Sequence, residues 1–158
     1  VHWWLVVLIV ATDQLTKAIL CATLDVYESR PVIDGLLDLV HVRNEGVAFG
    51  VLNTLALEHK WIYTTALASL ALGGIGYYAR RLRPEERWAR AGLSLILGGA
   101  LGNLIDRVRL GYVVDFVDVY VGTWHFWAFN AADAAISVGA VFVFVDLLFV
   151  RAHASHSV

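Results

Sequence analysis

The chain has 158 residues, of which 59% are hydrophobic and 16% charged, with a formal net charge of −2 and a mean hydropathy of +0.66. A soluble domain averages about 45–50% apolar and about 25% charged, so a water-soluble domain this small has nowhere to hide so much apolar surface. The charge excludes a generally basic nucleic-acid binder, and the single cysteine, Cys21, excludes an internal disulfide framework or a CxxC redox or zinc centre. With Val at position 1 and no methionine, the start reads as trimmed.

A bilayer core of ~30 Å takes about 20 apolar residues in helix. Segments of that length lie at about 3–24, 61–79, 89–107 and 126–150, which predicts an all-α integral membrane protein, one domain over 1–158 with four transmembrane helices. Between the second and third spans, Arg80, Arg81, Arg83, Arg87 and Arg90 make up five of the twelve Lys and Arg residues. The positive-inside rule puts that loop and both termini in the cytoplasm. Residues 25–60 and 108–125 then face outward, and all six Trp residues fall near a boundary, as an aromatic belt requires. The stretches 32–35 and 37–43 are β-branched and partly alternating, and Asn44-Glu45-Gly46 reads as a turn. A small extracytoplasmic β element is therefore expected within about 25–58.

Charged groups in hydrocarbon cost about 2.5–3.5 kcal/mol even on a lenient scale, so they face the bundle interior and often mark function. Asp13 lies about 15 Å along the first helix, with Lys17 at i+4. The reading is an intrahelical ion pair with Lys17 snorkelling outward, in a structural role, since a paired anion makes a poor acid or base. In the third helix Gly99, Asn103 and Asp106 share a face, with Arg107 beside them. The glycines of 98–102 include a GxxxG, whose ordinary meaning is close helix packing. For Asp106 and Arg107 a local salt bridge stands against a functional role for the arginine. Asn130, Asp133 and Ser137 share a face of the fourth helix, about 9 Å in from its outer end for Asp133. Hydrogen bonding of Asp133 to Asn103 or Asn130 is the structural alternative to chemistry there. Asp115, between apolar neighbours in the outward connection, reaches the same depth, although Asp118 competes with it. Two carboxylates from separate segments that meet at one depth would share a proton and activate water.

Other membrane chemistries lack their signatures. Glu58-His59 has no second histidine for HExxH, Ser94 has no histidine in the hydrocarbon to serve as base, and the six histidines lie at edges or outside. Cys21 is expected to pack and not to react.

Five motifs, in order, resemble those of the bacterial lipoprotein signal peptidases, or type II signal peptidases. Asp13-Gln14-Leu15-Thr16-Lys17 is similar to DQxTK, and Asn44-Glu45-Gly46-Val47-Ala48-Phe49-Gly50 to NxGxAFG. The run from Gly98 to Arg107 is similar to GGAxGNxxDR, Gly111-Tyr112-Val113-Val114-Asp115-Phe116 to GxVVDF, and Phe129-Asn130-Ala131-Ala132-Asp133 to FNxAD. The resemblance implies that Asp115 and Asp133 are the catalytic aspartates. It implies that Asn44, Gly46, Asn103, Arg107 and Asn130 line the substrate site, and that Asp13 and Lys17 support the bundle. The expected setting is the bacterial inner membrane, with a monomer working near the outer face, the depth at which Asp115 and Asp133 meet. The implied reaction is removal of the signal peptide from a membrane-anchored prolipoprotein, just before a diacylglyceryl-modified cysteine, without metal or organic cofactor. The rival from the residues alone is a small proton-coupled transporter, which would hold its acids near the midplane with repeat or dimer symmetry.

Overall fold

The computed structural model describes residues 1–45 and 60–150. Its elements run α1 (Trp3–Thr23), β1 (Ser29–Ile33), β2 (Leu37–Asn44), α2 (Lys60–Ala79), α3 (Arg87–Leu110), β3 (Val113–Val121), β4 (Trp124–His125) and α4 (Ala131–Val145), the last continuing as a π-helical turn, Asp146–Val150. Among the described residues, α1, α3 and Ala131–Leu148 are long and apolar enough to cross a membrane. α2 has 20 residues, but its Thr, Ser, Tyr and Gly side chains keep it out of that group.

The fourth helix starts later than position 126. Phe129 is drawn into the sheet, its carbonyl accepting from the N–H groups of Phe116 and Val117 at 3.0 and 2.8 Å, and Asn130 then caps α4. Asp133 thus belongs to the first turn of the helix and does not lie further along it.

All four strands form one antiparallel sheet in the order β1-β2-β3-β4. The expected β element therefore extends into the connection 108–125, where the run Val113 to Val121 is β-branched or aromatic at every position but Asp115 and Asp118. Gly111 ends α3 in the left-handed region at φ 81°, a conformation glycine adopts without a Cβ clash. The chain therefore reverses straight into β3.

Lipid offers no hydrophobic force to press one helix on another, so close approach depends on small residues. α3 is the hub. Gly98 and Gly102 meet Ile9 and Asp13 of α1, whereas Gly92 and Gly99 meet Gly139 and Ala132 of α4. Val6, Ala79, Leu93 and Leu97 fill the bundle near the α2–α3 connection. Leu20, Leu24 and Val114 seal α1 against the sheet at the other end.

Candidate active site

At the end of α3 farther from the α2–α3 connection, β2, β3, α3 and α4 converge on two carboxylates. Asp115 of β3 is 2% exposed; its Oδ2 accepts from Asn44 Nδ2 at 2.9 Å and its Oδ1 from Asn130 Nδ2 at 2.7 Å. Asp133 Oδ1 accepts from Asn103 Nδ2 at 2.8 Å, and its Oδ2 from the Asn130 backbone N–H at 3.2 Å. The Asp133 N–H in turn donates to Asn130 Oδ1 at 3.0 Å. This is a capping box, and it sets Asp133 at the positive end of the α4 dipole. Asn130 therefore binds both carboxylates, one through its side-chain amide and the other through its backbone.

Both structural bonds anticipated for Asp133 exist, directly to Asn103 and to Asn130, and they bring it to Asp115. Asp118 points elsewhere: it lies opposite Asp38 in the sheet and pairs with His125 Nδ1 at 2.8 Å. A groove of 320 Å³ beside it is lined by Val40, Val42, Phe126 and Trp127 among others, and Val42 is the register partner of Asp115.

Burial pushes the Asp115 carboxyl up to about 6 from 3.8; the Asp133 charge adds to this, and the Asn44 and Asn130 hydrogen bonds and Lys17 oppose it. Between pH 4 and 6 the folded chain thus holds a proton that the unfolded chain has released. The stability due to that proton is full below the unfolded value and lost as pH rises through 6. Asp115→Asn, which has no charge to bury, is expected to match the parent near pH 4 and to gain about 3 kcal/mol on it by pH 8. Thermal unfolding in detergent at the two pH values checks this, and a gap that does not widen with pH would refute it.

Beneath the carboxylates, Lys17 is 4% exposed and Asp13 0%. Lys17 Nζ lies 2.8 Å from both Asp13 Oδ2 and Asp106 Oδ2 and donates to Asn103 Oδ1 at 3.0 Å. The intrahelical pair is present, but Lys17 turns inward and does not snorkel, because two carboxylates and an amide oxygen await it. Asp106 likewise pairs with Lys17 and not with its neighbour Arg107. Gln14, to which the sequence reading gave no role, donates to Asp106 Oδ1 at 2.8 Å; its place beside Asp13 in the first motif was the available signal.

Arg107 Nη1 donates to the Asn103 carbonyl at 3.3 Å. Its Nε is buried without a hydrogen-bond partner among the described residues, within the field of Asp133, Asp115 and Asp106. Gly46 lies outside the described residues. Cys21 is exposed, with its Sγ 3.7 Å from His41 Nε2. Ser94 accepts from the His2 N–H and donates to the Arg90 carbonyl, both at 2.7 Å, as a helix-packing serine does.

A family model described as signal peptidase (SPase) II matches residues 5–149. The lipoprotein signal peptidase of Geobacter sulfurreducens is 47% identical over 136 residues, covering 86% of this chain and 84% of the relative. That of Geobacillus kaustophilus is 39% identical over 148 residues, covering 94% and 93%. Two solved structures, both described as a bacterial membrane enzyme obtained by the in meso method, are also similar. The one at 2.3 Å resolution is 32% identical with a TM-score of 0.80, covering 92% of this chain and 85% of that one. The one at 1.9 Å is 30% identical with a TM-score of 0.81, covering 92% and 91%.

Proposed function

Since the chain belongs to the signal peptidase II family, we propose that it is an aspartic endopeptidase that removes the signal peptide from diacylglyceryl-modified prolipoproteins, just before the lipidated cysteine, with Asp115 and Asp133 as the catalytic dyad. The observation that carries this reading is the double hold of Asn130 on the two carboxylates. Two carboxylates held by one residue are placed to act together on a single water. Asp133, at a helix N-terminus with two N–H donors, takes a proton from water as the water oxygen attacks the scissile carbonyl. Asp115, whose carboxyl keeps its proton up to about pH 6, donates it to the carbonyl oxygen. The tetrahedral diol collapses as Asp133 passes its proton to the leaving nitrogen and Asp115 takes one back from a diol hydroxyl, which breaks the C–N bond and restores both carboxyls. The Arg107 Nε–H, without a partner among the described residues, is a donor for a substrate carbonyl. The end of β2 at Asn44 suits an extended substrate backbone joined by strand addition.

All four helices span the bacterial inner membrane in this reading, and the protein works as a monomer among membrane lipids without a cofactor. Of the five arginines of 80–90, three precede α3 and Arg87 and Arg90 lie in its first turn, whereas β3 follows its other end, so α3 sets the arginines and the sheet at opposite ends. Its 24 residues reach about 36 Å at 1.5 Å per residue, enough to cross. With the arginines cytoplasmic, the dyad lies near the outer face, where a signal helix ends.

The test is incubation of the purified protein in liposomes with a diacylglyceryl-modified preprotein. A product beginning at the lipidated cysteine is expected. Proton flux with no product would instead favour the transporter.

A further inference from the structure

We infer that Lys17, together with Asp13 and Asp106, is a positioning unit for the reaction: it fixes the backbone just before each catalytic aspartate and sets which end of the Asn103 amide faces Asp133. This rests on the dyad reading above. Asp13 Oδ1 accepts from the Ala132 N–H at 3.0 Å, and Ala132 precedes Asp133. Asp106 Oδ2 accepts from the Val114 N–H at 3.2 Å, and Val114 precedes Asp115. Lys17 Nζ joins these two carboxylates at 2.8 Å each, so one ammonium ties together the backbones that carry the dyad.

The same ammonium settles the amide. It has donors only, so the end of Asn103 that faces it must be the oxygen. Asn130 Nδ2 also donates to that oxygen, at 3.1 Å. Nδ2 of Asn103 is left to face Asp133 Oδ1 at 2.8 Å. Turned over, the amide would set N–H against ammonium and oxygen against carboxylate, two repulsive contacts replacing two bonds. The charged groups around this path are Asp13 on α1, Asp106 and Arg107 on α3, and Asp115 on β3.

Two variants separate positioning from simple support of the fold, each measured per folded enzyme by active-site titration with a tight-binding inhibitor. Lys17→Met is expected to lower kcat by about 10–100-fold with KM within threefold of the parent, since substrate does not touch it. Asn103→Asp retains the acceptor for Lys17 but presents a second oxygen to Asp133. Its kcat is expected to fall at least about 100-fold at pH 7 and to recover in part at pH 5, where a protonated carboxyl donates as the amide did. If Lys17→Met does not fold, the pH profile of Asn103→Asp decides. A folded Lys17→Met with the parental kcat, or an Asn103→Asp whose loss is the same at both pH values, overturns the inference. Cleavage surviving in Asp133→Asn would instead overturn the dyad reading beneath it.

Discussion

Asp115→Asn and Asp133→Asn should each lower kcat by about 10³–10⁴-fold, the upper range for a positioned acid or base, and the double variant should lose no more than either single. The arrangement at Asn130 is the reason. Its Nδ2 and backbone N–H bind one oxygen of each carboxylate, at 2.7 and 3.2 Å, so proton loss at one site and proton gain at the other belong to one event. Residues that act as a unit are not additive: once one is gone, the other has nothing left to complete. The asparagine side chains are isosteric but keep only one of the two acceptor oxygens, so one of the two donors at each site loses its acceptor, a cost of about 1–3 kcal/mol that the fold should survive. Single-turnover cleavage of a diacylglyceryl-modified preprotein by the three variants, with folding followed by thermal unfolding, measures this. Additive losses would mean that the two aspartates work at separate steps, and a folded single variant with parental rate would remove it from the dyad.

What the sequence made legible follows from how each signal arises. Helix length and the arginine cluster are counts along the chain, and α1, α2 and α3 begin and end within three residues of expectation. The start of α4 was misplaced because apolar content continues through Phe126 to Phe129, and only the capping box marks the true boundary. β3 carried a signal, the β-branched and aromatic content from Val113 to Val121, masked by its position between two long apolar segments. That Asp133, Asn103 and Asn130 turn away from lipid toward one another was readable because such residues are costly in hydrocarbon wherever they sit. Partner choice was not. Lys17 could satisfy its charge by reaching out to water or in to Asp106, and only the placement of α3 against α1, fixed by Gly102 against Asp13, decides between them. Asp115 and Asp118 likewise occupy the same strand and are separated by which one meets Asn130.

The glycines read in sequence as packing residues have a larger consequence than packing. A Cβ on Gly99 would stand 2.3 Å from the Ala132 carbonyl oxygen and 2.8 Å from Ile136 Cγ1. The first obstacle is backbone and has no rotamer through which to retreat, whereas ordinary contact begins near 3.4 Å. Relief requires α3 and α4 to separate by about 1 Å, and a displacement of that size at a reacting centre costs on the order of 10²-fold in rate. Asn103 lies one helical turn beyond Gly99, and Asp133 directly follows Ala132, so the separation falls on the 2.8 Å bond between Asn103 and Asp133. Gly99→Ala should therefore lower kcat by about 100-fold while costing about 1–3 kcal/mol of stability, the usual range for overpacking. Gly139→Ala meets the Gly92 carbonyl oxygen at 2.5 Å, an equal clash some 16 Å along α3 from Asn103 at 1.5 Å per residue. Its stability loss should be similar, with a much smaller effect on kcat. Gly73→Ala on α2, with nothing within 4 Å of the added carbon among the described residues, should leave kcat unchanged and should not lower stability, since alanine favours helix over glycine. Thermal unfolding and turnover of the three variants check the pattern. If rate follows stability equally at Gly99 and Gly139, the close approach of α3 and α4 holds the bundle together without setting the geometry of the dyad.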